Sequence, residues 1–286
     1  MYDGTYKFAI NLMGGSGLSV DDHVALLKRI GWDGFFTGWK PEKTALFAAV
    51  AEKYGMIYTS IHAPFTQVRY LWDEGELGEQ VTDELIECVR DCANHRIPVT
   101  VIHPFIGFGE HTPTEAGLRN FGRIIHEADS LGVRLGFENV EGEEYLAAIF
   151  ERYAGSPSLG FCFDTGHELC YNRGKDMLAL YGHTLCHTHF NDNLGVTGED
   201  IFWTDDLHLL MGDGIADWSN IMRRIRESDY DGILTCELTF SNKPGKSTHD
   251  GYAAMGHEAF YAFALERMKT IVDLESAPRS KESHQL

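Results

Sequence analysis

RLGFENVEGEEYLAAIFERYAGSPSLGFCFDTGH, residues 134–167, holds one full unit of the pattern that decides the fold. A short β-rich run, Arg134–Glu138, leads into a stretch with apolar residues at helical spacing, Glu144–Tyr153, and then into a second β-rich run, Gly160–Asp164. Each run closes on a carboxylate, Glu138 in the first and Asp164 in the second. Strand, helix and strand in that order imply a parallel pair, because strands alternating with helices build a parallel sheet.

The unit repeats in both directions. Six more strand candidates are Tyr6–Leu12, Gly34–Thr37, Ile57–His62, Val99–His103, Leu185–His189 and Ile233–Glu237. Helical patterns lie between them at Val20–Ile30, Lys43–Tyr54, Glu79–Asn94, Thr114–Leu131, Trp218–Glu227 and Ala253–Val272, with a short, weakly periodic one at Gly174–Leu180. Ser19 or an adjacent Asp is placed to cap the first helix, and Tyr54-Gly55 and Leu131-Gly132 read as helix ends. Eight strands alternating with helices form either an open sheet or a closed barrel. Count and length favour a single (β/α)8 TIM barrel over residues 1–274, since such barrels take about 250 residues. Residues 275–286, ESAPRSKESHQL, read as a polar C-terminal tail.

Composition sets outer bounds. Of 286 residues, 43% are hydrophobic and 23% charged, an ordinary balance for a globular chain able to bury its own core. The net charge of -19 repels polyanions at long range and argues against nucleic acid as a partner. The opening segment, MYDGTYKFAI, has no basic stretch ahead of an apolar one, and no apolar run reaches the ~18 residues of a membrane span. A cytoplasmic enzyme without a membrane partner is expected, and a homo-oligomer is compatible with everything in the chain. Six cysteines (Cys88, Cys92, Cys162, Cys170, Cys186, Cys236) form no C-x-x-C pair and read as free thiols.

The chemistry gathers at the strand ends. The third to eighth strands end in turn at His62, His103, Glu138, Asp164 (then His167), His189 and Glu237. In a barrel these ends meet at one rim, where the catalytic residues of the fold sit. Residues two positions earlier also point inward: Ser60, Val101, Gly136, Cys162, His187 and Thr235, most of them small. Three carboxylates in one mouth need compensating charge, and no Lys or Arg stands at a strand end. A divalent cation (Mn2+, Mg2+, Co2+ or Zn2+) suits carboxylates mixed with imidazoles. No thiolate is expected at the rim. The longest irregular stretch, Asn191–Asp217, adds Asp206 and His208 as a D-x-H pair. Trp39, Trp72 and Trp203 fall in rim loops and offer an apolar wall, and Lys40, Arg69, Arg173, Lys243 and Lys246 are basic residues near the rim. His23, His95, His111, His126, His183, His249, His257 and His284 read as surface or core residues.

As an ensemble, I-H-A-P-F, I-H-P, F-E-N, F-D-T-G-H, H-x-H-F-N-D, D-L-H-L-x-x-G-D-G-x-x-D-W and E-L resemble the xylose isomerase-like TIM-barrel superfamily across roughly residues 5–272. That superfamily includes sugar phosphate isomerases and epimerases, ketose 3-epimerases, inosose dehydratases and endonuclease IV. The resemblance implies one metal held by Glu138, Asp164, His189 and Glu237, with Glu138 and Glu237 as an acid/base pair on opposite faces of a sugar. It implies that His167 contacts substrate, and that His62, His103, His167, Asp206 and His208 are further ligands if the site is multinuclear, as in endonuclease IV. The expected reaction is isomerisation or epimerisation of a small sugar or sugar phosphate by proton transfer through an enediolate. The rivals are abasic-site phosphodiester cleavage, dehydration of a cyclic polyol, and a catalytically silent sugar-binding barrel. The chain reads INLMGG where endonuclease IV carries a first-strand His, and Asn193-Leu194 where it carries Ser-Lys, which argues against DNA. It also lacks the Arg that ketose 3-epimerases carry soon after the seventh-strand His.

Overall fold

Parallel strands buried on both faces need helices outside and side chains inside, and the eight β-rich runs meet both needs. A computed structural model of the chain describes residues 6–109 and 112–274. Its strands are β1 (Phe8–Asn11), β2 (Gly34–Gly38), β3 (Ile57–His62), β4 (Val99–Ile102), β5 (Arg134–Glu138), β6 (Leu159–Asp164), β7 (Leu185–His189) and β8 (Leu234–Cys236). Every strand pairs in parallel with its sequence neighbour from β1 to β7, and β1 also pairs with β8. The remaining seam, between β7 and β8, is closed by backbone bonds around Phe190 and by one side chain, Thr188. The Thr188 hydroxyl accepts from Thr235 N at 2.9 Å and Phe190 N donates to Thr235 O at 2.8 Å, and above them Glu237 N donates to Phe190 O at 3.1 Å. This is the (β/α)8 barrel that the alternation of strands and helices predicts.

Ten helices accompany the strands among the described residues: α1 (Val20–Ile30), α2 (Thr44–Tyr54), α3 (Glu76–Asn94), α4 (Glu115–Leu131), α5 (Glu143–Tyr153), α6 (Thr165–Cys170), α7 (Met177–Tyr181), α8 (Trp218–Glu227), α9 (Asp250–Met255) and α10 (His257–Asp273). Local chemistry explains their bounds. Ser19 Oγ accepts from Asp22 N to cap α1, and Gly31 ends it in the left-handed region. Thr114 caps α4, whose Leu118, Phe121, Ile125 and Ala128 form the buried stripe.

Two expectations are corrected here. The helix expected at Gly174–Leu180 begins only at Met177, capped by Asp176, and a separate short helix that the pattern did not mark, α6, starts at once after β6. The expected helix Ala253–Val272 is divided at Gly256, whose φ of 74° and ψ of 159° end α9 and begin α10. The polar tail at 275–286, His111 and His284 lie outside the described residues.

The main core fills the ring between strands and helices, with Phe35, Phe137, Phe161 and Phe163 fully buried. Each such side chain contributes about 1.5–3 kcal/mol by burial. Inside the barrel a second, small cluster of Val99, Val101 and Cys162 supports the floor of the rim. No described helix is long and apolar enough to cross a membrane.

Candidate metal centre

Strand alternation sends Ser60 and His62 of β3 inward, as it does Gly136 and Glu138 of β5, Cys162 and Asp164 of β6, and His187 and His189 of β7. The upper member of each pair lies at the C-terminal end of its strand. His103 follows β4 and Glu237 follows β8 by one residue. The barrel therefore brings six strand-end groups to one rim. His167 comes from α6, and Asp206 and His208 come from the β7–α8 loop.

Four groups of ligand atoms form, each within 4.8 Å: His62, His103 and Glu138; Glu138, Asp164, His189 and Glu237; Asp164, His167 and His208; and Glu138 and His189 with Cys162. Glu138 belongs to three of these groups, and Asp164 and His189 to two each. His189 Nδ1 stands 3.0 Å from Glu138 Oε1 and 3.1 Å from Glu237 Oε2. Glu138 Oε2 faces His62 Nε2 at 3.3 Å and His103 Nε2 at 3.2 Å. Asp206 Oδ1 lies 3.0 Å from His208 Nε2 and 3.5 Å from His167 Nε2.

Residues outside the expected set hold these groups in place. Asp164 N donates to Asn139 Oδ1 at 2.7 Å, Asn191 Nδ2 donates to Asp164 Oδ2 at 2.8 Å, and Asp164 Oδ1 caps α6 through His167 N at 2.7 Å. One cap thus orients both Asp164 and His167. Gly166 is required because a Cβ there would lie 1.9 Å from Asn191 Oδ1. Asp192 takes four donors: Asn193 N and Ala216 N on Oδ1, Gly212 N and Trp218 Nε1 on Oδ2. It ties the long loop into shape, and Gly214 leaves room for it, since a Cβ would stand 2.2 Å from Asp192 Oδ1. His208 adopts φ 51°, a left-handed conformation rare for a non-glycine residue, and its Nδ1 pairs with Glu237 O at 3.0 Å.

The profile of the family described as xylose isomerase-like TIM barrel matches residues 24–257. The chain belongs to that family. An uncharacterized protein of Methanocaldococcus jannaschii is 25% identical over 196 residues, covering 62% of this chain and 63% of that protein. A second uncharacterized protein, from Sinorhizobium fredii, is 37% identical over 126 residues, covering 42% of this chain and 38% of that one. The chain thus spans less than two thirds of each of these relatives. Among solved structures, a xylose isomerase domain protein from Planctomyces limnophilus matches with TM-score 0.70 and 17% identity, covering 95% of this chain and 99% of that one. A D-tagatose 3-epimerase-like protein matches with TM-score 0.69 and 18% identity, covering 95% of this chain and 100% of that one. D-allulose 3-epimerase from Methylomonas sp. matches with TM-score 0.68 and 14% identity, covering 94% of this chain and 98% of that one. The fold is therefore one shared with sugar epimerases.

In this xylose isomerase-like barrel the charges balance in a way the sequence does not show. Burial opposes ionisation of Glu138, but His189, His103 and His62 overcome it and hold the carboxyl well below the usual range. Burial likewise opposes Glu237, and His189 and His208 bring it to about 2. Burial dominates at Asp164 and raises it to about 6. The imidazoles answer these charges. Against burial, Asp164 and Asp206 raise His167 to about 10, and Asp206 raises His208 to about 9. Histidine protons can thus supply the compensating charge, so the carboxylates do not by themselves demand a cation.

Hydrogen bonding makes the stronger case. His103 Nδ1, His167 Nδ1 and His189 Nε2 are buried without a hydrogen-bond partner, and Glu138 Oε2 and Asp206 Oδ1 meet only imidazole nitrogens, at 3.0 to 3.5 Å. Buried polar atoms are nearly always satisfied, so such a cluster marks a ligand cage. A carboxylate and imidazole donor set fits a divalent cation of the first transition row or Mg2+. Cys162 departs from expectation: its thiol, assigned to the layer below, lies in ligand reach of Glu138 and His189, although burial raises it far above its ordinary range.

A cavity of about 420 Å³ opens above the rim, walled by Phe65, Ile106, Phe108, Tyr171 and Trp203. Of the three expected tryptophans only Trp203 reaches it. Trp72 is core, its Nε1 donating to Pro104 O, and Trp39 donates to Asp91 on α3. Lys40, Arg69 and Arg173 are exposed and do not line the cavity, whereas Lys243 does.

Proposed function

We propose that this chain is a divalent-metal-dependent isomerase or epimerase of a small sugar or sugar phosphate. The observation that carries the reading is the pair of glutamates flanking His189 Nδ1, at 3.0 and 3.1 Å, beneath a sugar-sized cavity. Glu138, Asp164, His189 and Glu237 are the ligands we assign to the cation, with His62, His103, His167, Asp206 and His208 able to hold others. When bound, the cation polarises the carbonyl and neighbouring hydroxyl oxygens of a substrate as a Lewis acid.

The chain's own groups divide the remaining work. Glu237, whose side chain is 21% exposed, reaches the cavity and takes the proton next to the carbonyl. Glu138 returns a proton from the other side of His189, whose Nδ1, 3.0 and 3.1 Å from the two carboxylates, passes to Glu138 the equivalent of the proton that Glu237 has taken. General acid–base catalysis of this kind contributes roughly 10²–10⁴-fold. His167, lining the cavity and anchored by the cap on Asp164, orients a substrate hydroxyl.

One observation favours a second reading. Glu138 is fully buried, and its Oε2 faces His62 and His103 rather than the cavity. A carboxylate placed between two ligand groups suits a multinuclear centre, which is the arrangement for phosphoester hydrolysis. Sugars and sugar phosphates incubated in D2O with Mn2+ separate the two. Deuterium entering next to a carbonyl supports proton transfer, and release of inorganic phosphate without deuterium supports hydrolysis. Glu138→Gln and Glu237→Gln should each lower deuterium uptake by at least about 100-fold. Full exchange in either variant overturns the two-glutamate assignment.

A further inference from the structure

Lys243 is the one lysine or arginine among the described residues lining the cavity above the rim. It belongs to the loop after β8, six positions beyond Glu237, so one loop carries both the proposed base and this ammonium. Its side chain is only 20% exposed. Nζ stands 3.6 Å from Asp206 Oδ2, beyond hydrogen-bond length, and 5.4 Å from the centre of the Trp203 ring. Neither neighbour accepts a hydrogen bond from it, and an ammonium carries three donors. Asp206 is also engaged from its other side by His208 at 3.0 Å and His167 at 3.5 Å.

Lys246, three residues on, shows what a committed lysine looks like in the same loop. It meets Asp205 Oδ1 at 3.1 Å, an atom that also accepts from Thr197 Oγ1 at 2.7 Å. Lys246 pins two loops together, whereas Lys243 lines the cavity, ion-paired at 3.6 Å with Asp206 but hydrogen-bonded to neither neighbour. The rest of the wall above the rim is Phe65, Ile106, Phe108 and Tyr171, together with one carboxylate, Glu141, whose Oε1 accepts from Gly107 N at 2.7 Å. With a net charge of -19 the chain repels anions at long range, so an anionic group needs a local cation to hold it.

We infer that Lys243 is a specificity-determining residue that binds an oxyanion substituent, phosphate or carboxylate, at the end of the sugar remote from the reacting carbons. The inference rests on the sugar reading above and narrows it to anionic sugars. Trp203 holds the ammonium from beneath by cation–π attraction and presents its face to the sugar carbons.

Calorimetric titration of the Mn2+-loaded protein with unreactive alditols tests it. Ribitol, ribitol 5-phosphate and ribonate, together with the glucitol, glucitol 6-phosphate and gluconate set, vary the terminal group at fixed chain length. In at least one set an anionic member should bind about 10- to 100-fold more tightly than its neutral parent, the range of one hydrogen bond to a charged group. Which anionic member gains separates phosphate from carboxylate. Lys243→Met should remove the gap and Lys243→Arg should keep most of it, with unchanged thermal unfolding showing that both variants are folded. No gap in either set overturns the inference. So does a gap that persists in Lys243→Met, because the bound cation then takes the oxyanion. Alditols cannot exchange a proton next to a carbonyl, so this result is independent of the reaction. Anionic alditols held by Lys243 without deuterium uptake into any sugar would remove the isomerase reading alone.

Discussion

His189 shows at the scale of one residue how the centre is poised. Burial works against its protonation, yet Cys162, Glu237 and Glu138 hold it well above the ordinary histidine range. His167 at about 10 and His208 at about 9 also keep their protons at pH 7. A metal ligand must be a neutral imidazole, so cation and proton compete for the same nitrogens. Mn2+ or Zn2+ binding at pH 7 should therefore release protons, and apparent affinity should rise with pH until the ligating imidazoles have lost theirs. Calorimetry in buffers of different ionisation enthalpy measures the release directly, and a result of zero protons contradicts the assigned ligands. Below about 6 Asp164 also gains a proton, and affinity should fall further.

At the scale of elements, two packing features have separate signatures. The β7–α8 loop is organised by Asp192, whose two oxygens accept four donors. Asp192→Asn turns one acceptor into a donor facing N–H groups. A stability loss of about 2–4 kcal/mol is expected from unmade buried hydrogen bonds to a charged group. On the metal assignment proposed above, Asp192→Asn should weaken cation binding near His208 more than at Glu138 and Glu237, read from metal content per chain. The packing of α1 on α10 contains buried His23, whose Nε2 pairs with Tyr261 Oη at 2.7 Å. Burial, with a smaller contribution from His257, lowers His23 to about 4. The unfolded chain then binds one more proton than the native one between about pH 6.5 and 4. Stability from this residue is complete above 6.5 and falls by about 1.4 kcal/mol per pH unit until about 4. His23→Gln should flatten that slope in denaturant titrations across the same window, and an unchanged slope would assign it to other groups.

The whole molecule couples its closure to the site. Glu138, Asp164, His189 and Glu237 belong to β5, β6, β7 and the segment after β8, so a cation among them ties together four staves of the barrel, including the seam that Thr188 helps to close. Binding to the native state alone stabilises it by about 2.7 kcal/mol at 100 times the dissociation constant. Chelation of a metal-loaded preparation should lower the unfolding temperature by several degrees, and restoring Mn2+ should recover it. An unfolding temperature indifferent to chelator and metal alike contradicts a cation site at these residues. The chain belongs to the xylose isomerase-like family and shares its fold with sugar epimerases, and barrels of one shape host many reactions.

The order of elements was legible in the sequence because hydrophobic period and capping act over a few residues. The limits of β3, β5, β7, α1 and α8 fall where the pattern places them. The strand-end residues were legible for the same reason: alternation along a strand and the shared rim of a barrel send them to one place. Six-residue α6 escaped, since it serves to carry His167 and has no long apolar face to betray it. Tertiary structure alone decided which carboxylate faces two imidazoles, which lysine lines the cavity, and that Asn139, Asn191 and Asp192 hold the cage. Those outcomes join residues on separate strands and loops, such as Glu138 with His189, 51 positions apart, and Lys243 with Asp206. Closure of the barrel sets such distances, and no periodicity along the chain encodes them.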